Sequence, residues 1–221
     1  MMKDAIQSLS EGNKIAFMLI AVVLLNITYP FSETGTFAAL LFVGLYLAVT
    51  GSAIYLVSSN RRLLIASVFL AVTIAVTGGI TITSDFTAAL WIQLGWNASL
   101  FLQLLLIISL LVIFIIQSET VSREVIFAAI IIYFLLAAIF SLMYVVIESL
   151  APGAFVSSSG AEITWQRMTY FSLVTISTLG YGDIVPVAPA AQSLSALEAS
   201  VGTLYIAILI GRFVSLYQHE T

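Results

Sequence analysis

Long apolar runs separated by short polar segments make up most of the chain. Six of these runs approach the roughly 20 mostly apolar residues that a membrane-spanning helix needs. They lie at about 15–31, 36–57 and 63–83, within 87–116, and at about 125–149 and 189–217. A further segment, 163–186, is too short and too polar to cross a membrane. The pattern predicts an all-α integral membrane protein with six transmembrane helices.

Composition supports a place in the bilayer and excludes most enzyme chemistry. The 221 residues are 61% hydrophobic and 8% charged, whereas a soluble domain carries about 25% charged residues. The chain has no cysteine, which excludes disulfides and thiolate metal sites, and its single histidine, His219, is expected in a solvated tail. Because it has no HExxH motif and no phosphate-binding loop, we expect no enzyme activity. The expected partners are membrane lipids and not nucleic acid.

The basic residues predict an orientation in the membrane. With six spans and a cytoplasmic N-terminus, only Arg167 lies in a segment predicted to be outside. Since short cytoplasmic loops are enriched in Lys and Arg, both termini are predicted to be cytoplasmic in a multi-pass protein of the plasma membrane. The polar leader, residues 1–14, is predicted to be retained as a short amphipathic helix. The six remaining basic residues are Lys3, Lys14, Arg61, Arg62, Arg123 and Arg212.

Small and polar residues predict how the first four helices pack. Small side chains at a four-residue spacing let helix backbones approach closely in lipid, so the second and third spans are predicted to form a tight antiparallel hairpin. This packing role is favoured over a binding groove. The stripes are Gly44, Ala48 and Ser52 in the second span, and Ser67, Ala71, Ala75 and Gly79 in the third. Interhelical hydrogen bonds are predicted for the polar residues Asn26, Gln93, Asn97 and Gln103.

The polar segment between the last two spans combines a helix with a glycine-spaced strand. Residues 164–177 can form a short helix, whereas Gly180 and Gly182 favour positive φ and end it. Non-helical backbone is tolerated at membrane depth only inside protein or along a water-filled cavity. The segment is therefore predicted to be re-entrant. Such strands from several subunits would surround a tube of carbonyl oxygens.

The stretch "TISTLGYGD", residues 175–183, resembles the TxxTxGYGD signature of the potassium channel superfamily. The resemblance extends over about 120–218, and "LEASVGTLYIAILIGRFVSLY" is similar to the inner helix of small prokaryotic members. Over 1–120 it extends only to the six-helix plan. It implies a membrane bundle at 15–117 and a pore domain at 121–218, with a pore helix at 164–177, a filter at 178–182 and an inner helix at 189–217.

The resemblance implies roles for the filter residues. Backbone carbonyls and the Thr178 hydroxyl would replace the hydration shell of K⁺, the transported ion. No organic cofactor is implied. Since one strand makes a quarter of the ring, the protein is expected to be a homotetramer. The implied K⁺ ligands are Thr178, Leu179, Gly180 and Tyr181, and Gly182 completes the filter.

Residues behind the filter are expected to support it. Asp183 would sit at the outer mouth, where many relatives bond it to a tryptophan on the pore helix. Tyr170 and Phe171 occupy the corresponding positions here. A Tyr170 hydroxyl bond to Asp183 is therefore expected, the alternative being that Asp183 only faces water.

Glu198 is the one acid within a predicted span, and a charge at that depth is costly. The favoured interpretation is that Glu198 is protonated or hydrogen-bonded and braces Thr175 or Ser177. The alternative is that it acts as a proton-sensitive switch on the filter.

The inner helix contains candidate gating residues. Gly202 matches the hinge position of the superfamily, although a glycine in a membrane helix can equally serve packing. Gly211 is a second weak point. Thr203, Ile206 and Ile210 are predicted to line the cavity below the filter, where the two isoleucines could close the pore by dewetting.

The predicted function is a potassium-selective channel with little intrinsic voltage dependence. No Lys or Arg lies between Arg62 and Arg123, so the predicted fourth helix lacks the charges that a voltage sensor moves. The first four helices could be a scaffold, a lipid- or ligand-binding bundle, or a degenerate sensor. Two alternatives remain: a non-selective monovalent cation channel, which the intact "TLGYG" disfavours, and a non-conducting channel-like subunit.

Overall fold

The computed structural model describes residues 13–32, 36–56, 61–83 and 90–218, and helices form most of this part of the chain. The predicted leader helix and His219 therefore lie outside the described residues, apart from the last two leader positions. The helices are α1 Asn13–Thr28, continued by a 3-10 turn at Tyr29–Phe31, α2 Thr36–Leu56, α3 Arg61–Thr83, α4 Leu90–Gln117, α5 Arg123–Leu150, α6 Trp165–Ile176 and α7 Pro189–Gln218. Two short strands are β1 Phe155–Ser157 and β2 Ile184–Pro186.

Several of these helices are long and apolar enough to cross a membrane. Within the described residues α2 offers the shorter apolar stretch Val43–Tyr55, and α6, with 12 residues, is too short to span. The protein is therefore an all-α, multi-pass membrane protein, while the count of six spans stays a prediction. Among the described residues, the five segments of sufficient length are Lys14–Phe31, Arg61–Ile80, Leu90–Gln117, Arg123–Leu150 and Pro189–Leu216.

The chain divides into two compact units, and the division falls inside α5, between Phe134 and Leu135. In the first unit the close helix pairs are α1 with α2 and α3 with α4, whereas α2 and α3 meet at only a few positions. The predicted tight hairpin of the second and third helices is therefore wrong.

The buried face of α3 explains this correction. Of the predicted stripe, Ser67 is buried, but Gly79 is exposed and a Cβ there would meet nothing within 4 Å. The buried positions are instead Ser67, Ile74 and Gly78, and a Cβ on Gly78 would lie 3.1 Å from the Trp96 indole nitrogen. An α-helix turns 100° per residue, so each step of four residues moves about 40° around the helix axis. Positions seven and eleven residues after Ser67, in contrast, lie within about 20° of Ser67 around that axis. The stripe at strict four-residue spacing thus turns away from α4.

The polar side chains of the first unit divide into two groups. Gln103 Nε2 on α4 donates to Ser67 Oγ on α3 at 3.0 Å, which confirms the interhelical bond predicted for Gln103. Asn26 and Asn97 instead donate to carbonyls one turn back in their own helices, at 2.9 Å each. The interhelical bonds predicted for these two asparagines are wrong, because an amide in a membrane helix can satisfy a donor locally.

The second unit is built around an aromatic cluster. Tyr144 on α5, Phe155 on β1 and Phe171 on α6 pack edge to face, with ring centroids 5.1–5.4 Å apart. Such pairs contribute about 0.5–1.5 kcal/mol each beyond their burial. The cluster packs α5, α6 and the antiparallel β1–β2 pair against one another, and in that pair Phe155 is opposite Pro186.

Candidate filter strand and its supports

The short helix α6 begins with a capped N-terminus. The Thr164 hydroxyl accepts a hydrogen bond from the Arg167 amide at 3.5 Å, as expected of an N-cap threonine. The Arg167 guanidinium donates to Ser157 Oγ at 3.1 Å and links the helix to the end of β1. The helix predicted over 164–177 runs over Trp165–Ile176, with Thr164 and Ser177 as its caps.

The candidate filter strand is the segment after α6, residues 178–182, which forms no β-ladder. Its φ values alternate between positive and negative. Thr178, Gly180 and Gly182 have φ of 58°, 57° and 75°. Glycine adopts such φ values readily. Thr178 is the one residue other than glycine that has positive φ in the described part of the chain. Its amide donates to the Thr175 carbonyl at 2.9 Å, a bond that helps to offset the backbone strain.

Hydrogen bonds to α6 fix the direction of three carbonyl groups in this region. The amides of Leu179 and Gly180 both donate to the Val174 carbonyl, at 2.9 and 3.3 Å, beside the Thr178 bond described above. In a planar trans peptide the N–H and the preceding C=O point in opposite directions, and the described chain has no cis peptide bond. The carbonyls of Ser177, Thr178 and Leu179 therefore point away from α6.

The C-terminal end of the candidate filter strand joins the β1–β2 pair. The Asp183 carbonyl accepts the Ser158 amide at 2.8 Å, and the Asp183 side chain is half-buried. Tyr170 packs against the aromatic cluster, to which Phe171 belongs. The Tyr170–Asp183 hydrogen bond stays a prediction.

Glu198 on α7 is fully buried, and its partners are not the expected ones. The Tyr144 hydroxyl donates to Glu198 Oε2 at 2.5 Å, and Ser172 Oγ is hydrogen-bonded to Glu198 Oε1. The expected contact with Thr175 or Ser177 is wrong, because Ser172 is the α6 residue facing Glu198. Ser177 Oγ instead donates to the Leu173 carbonyl at 2.7 Å within its own helix.

Sequence reasoning missed Tyr144 and Ser172. They lie 54 and 26 residues from Glu198, and each is an unremarkable polar position in an apolar helix. The sequence indicated only that a buried acid needs hydrogen-bond donors. It did not indicate which hydroxyls supply them.

Gly202, one turn after Glu198, is a close-contact position. A Cβ on it would lie 2.2 Å from the Ile176 carbonyl oxygen and 2.7 Å from Ile176 Cγ1. Ser172 and Ile176 are also one turn apart, so α6 and α7 meet at two successive turns. The contact supports the packing role for Gly202, while a hinge at this position stays a prediction.

The predicted cavity residues are on another side of α7. Thr203, Ile206 and Ile210 are exposed and occupy an arc of about 60° at 100° per residue. The middle of this arc lies about 90° around the helix from the side that carries Glu198 and Gly202. Thr203 Oγ1 donates to the Ala199 carbonyl at 3.0 Å.

Comparison with known proteins identifies the class. Residues 100–219, more than half of the chain, match a family model described as "Ion channel". The chain therefore belongs to this ion channel family. No solved structure gives a significant match.

Relatives narrow the class to the potassium channel superfamily. The chain is 37% identical over 82 residues to two pore potassium channel c of Oryza sativa subsp. japonica, covering 37% of this chain and 18% of the relative. It is 35% identical over 93 residues to the inward rectifier potassium channel Kirbac3.1 of Paramagnetospirillum magnetotacticum, covering 40% and 28%. The chain thus spans less than a third of the length of these relatives.

Proposed function

We propose that the protein is a potassium-selective channel in which four copies of the strand 178–182 surround the ion pathway. The observation that carries this proposal is the backbone of the strand. Its alternating φ values and its amides bonded to α6 leave the Thr178 and Leu179 carbonyls directed away from the helix. Two relatives of the chain are named potassium channels.

In the proposed mechanism, carbonyl oxygens replace the hydration shell of K⁺. The ligands are the carbonyls of Thr178, Leu179, Gly180 and Tyr181 with the Thr178 hydroxyl, and several adjacent sites let entering ions displace those ahead. The C-terminal end of α6 carries the negative end of its helix dipole, which favours a cation in the cavity below. The hydrogen bonds from the amides of residues 178–180 to the Val174 and Thr175 carbonyls keep the Thr178 and Leu179 oxygens from turning toward α6.

A homotetramer follows from the geometry that the mechanism needs. One protomer supplies one strand, and Leu179 and Tyr181 are 56% and 66% exposed in it. The helix α7 also leaves large apolar side chains exposed, among them Leu204 and Ile208. Neighbouring copies would cover part of this surface and lipid the rest.

The proposed topology has α1–α5 and α7 crossing the plasma membrane, with α6 and the strand re-entering from outside. Both termini would then be cytoplasmic. Ile206 and Ile210 would form the hydrophobic constriction of the gate, with Thr203 lining the cavity above them.

Ion flux across liposome membranes tests the proposal. Purified protein in K⁺-loaded liposomes is expected to give a barium-blocked K⁺ flux, with no comparable flux when Na⁺ replaces K⁺, and protein-free liposomes are the control. Equal K⁺ and Na⁺ fluxes would establish the non-selective cation channel instead. No flux from correctly assembled protein would favour the non-conducting subunit.

A further inference from the structure

Glu198 is part of a buried chain of oxygen atoms that links three helices. Tyr144 Oη on α5 contacts Glu198 Oε2, and Glu198 Oε1 contacts Ser172 Oγ on α6. Ser172 Oγ also lies 2.6 Å from the carbonyl oxygen of Ala137 on α5. All four residues are buried. The three contacts are all oxygen–oxygen hydrogen bonds, so each needs its own proton.

Counting protons fixes the state of the carboxyl group. The Ala137 carbonyl can only accept, so the single Ser172 proton lies between Ser172 and Ala137. The Tyr144 hydroxyl proton lies between Tyr144 Oη and Glu198 Oε2. The contact between Glu198 and Ser172 then has no hydroxyl proton left. It becomes a hydrogen bond only if the carboxyl group is protonated and donates to Ser172 Oγ.

Among the groups that face Glu198 in the described part of the chain, none carries a compensating positive charge. On α5 the titratable neighbours are Tyr144 and, one turn further, Glu148, whose carboxylate accepts the amides of Gly153 and Phe155. On α6 the nearest charge is Arg167, which is bonded to Ser157. On the same side of α7, Tyr205 follows about 10 Å along the axis and Arg212 about 21 Å, at 1.5 Å per residue.

We propose that Glu198 is a neutral carboxylic acid and acts as a positioning residue whose proton holds α6 against α5 and α7. Its effect on conduction rests on the proposed channel function. When the proton leaves for water, the Ser172 hydroxyl must turn to the carboxylate, and its bond to the Ala137 carbonyl is lost. The pore helix is then released from α5.

The filter strand would respond to this release because α6 holds it. The Val174 and Thr175 carbonyls, two and three residues after Ser172, accept the amides of residues 178–180. A displaced α6 would disturb these bonds and the carbonyl directions that they set. Deprotonation of Glu198 is therefore expected to reduce K⁺ conduction as the pH rises.

The test compares wild type with Glu198→Gln, because a glutamine amide supplies one donor and one acceptor in the same place and does not titrate. In liposomes, wild-type K⁺ flux is expected to fall about tenfold at alkaline pH, the factor equivalent to roughly 1.4 kcal/mol. The E198Q flux should resemble that of wild type at neutral pH and stay constant as the pH rises. Ser172→Ala, which lacks the hydroxyl that changes partner, should also show no alkaline fall. Glu124→Gln, the same change at the start of α5, should retain it.

Infrared difference spectra test the proton itself without any flux. The wild type should show the carbonyl stretch of a protonated carboxylic acid at neutral pH, absent from E198Q and lost at alkaline pH. Absence of this band at neutral pH would overturn the neutral acid. A wild-type flux that ignores pH, or an alkaline fall that persists in E198Q, would overturn the coupling. The band without any K⁺ flux would overturn the proposed channel function and the coupling, and leave the neutral acid standing.

Discussion

At the scale of single residues, the strand after α6 depends on backbone conformations that few side chains adopt. Gly180 and Gly182 have positive φ, and within the described residues of one protomer nothing lies within 4 Å of where a Cβ would be. Glycine is therefore required at these two positions for its backbone conformation and not because a side chain would lack space. An alanine in the left-handed region costs roughly 1–2 kcal/mol, which the strand would relieve by rotating its peptide groups.

We predict that Gly180→Ala abolishes the proposed selectivity for K⁺ over Na⁺, because a rotated peptide removes a carbonyl from the proposed ion pathway. The ratio of the two liposome fluxes measures this loss. Gly44→Ala is the matched control, since a Cβ at Gly44 also meets nothing within 4 Å but the residue lies within α2 with an ordinary helical φ. Unchanged selectivity in Gly180→Ala would contradict the proposed carbonyl ligands.

At Gly202, in contrast, glycine is required because a side chain would lack space next to α6. We predict that Gly202→Ala destabilises the protein by about 1–3 kcal/mol or more, since its methyl group would overlap the Ile176 carbonyl. Thermal unfolding in detergent, followed by circular dichroism, measures the change. Gly211→Ala in the same helix is the control, because a Cβ there meets nothing within 4 Å. Equal stability of the two variants would argue against this packing contact.

At the scale of elements, the helix pairs of the first unit follow from side chains that face each other across α3 and α4. Gly78 admits the Trp96 indole, and Ser67 bonds Gln103. The small-residue pattern predicted that α3 packs closely on α2, and this prediction is wrong. It did not identify the neighbour, because steps of four residues go around the helix and present small side chains in several directions.

The Ser67–Gln103 bond is predicted to contribute about 0.6–1.7 kcal/mol, the range for interhelical hydrogen bonds in membranes. Ser67→Ala should cost about this much, because the Gln103 amide loses its acceptor. Gln103→Leu should cost less, since it also removes a buried Oε1 that has no hydrogen-bond partner in the described part of the chain. A double-mutant cycle, measured by unfolding in mixed detergent, should give a positive coupling. Strictly additive effects would show that the bond contributes nothing.

The candidate site shows which structural features were accessible from sequence. The position of α6 and its end before Gly180 were predicted, because both depend on residues that are close together in the sequence. The partners of Glu198 were predicted wrongly, since they depend on how α5, α6 and α7 are rotated about their axes. A buried acid indicates that donors exist, and only tertiary packing shows that they are Tyr144 and Ser172.

At the scale of the whole molecule, the placement of charge bears on gating. No Lys or Arg lies between Arg62 and Arg123, so α4 carries no positive side chain. Each charge that crosses the full field is worth about 2.3 kcal/mol per 100 mV. A helix without such charges gains no comparable energy from a change in voltage.

Open probability is therefore predicted to change little with voltage. Planar-bilayer recording over steps of about 100 mV, each worth roughly 2.3 kcal/mol per gating charge, measures the dependence. The steepness should correspond to less than one gating charge. A steep curve requiring several charges would contradict the prediction and would require a moving charge outside α4.

The sequence alone determined the membrane class, the apolar segments, the glycine-spaced strand and the lack of charge in α4. These features depend on composition or on residues close together in the chain, where hydropathy and backbone preference act locally. Tertiary structure decided that α3 pairs with α4, that Gly202 abuts Ile176 and that Glu198 lies between two hydroxyls. Those contacts join residues far apart in sequence, and the rotation of each helix, set by the packing of all its neighbours, decides which side chains meet.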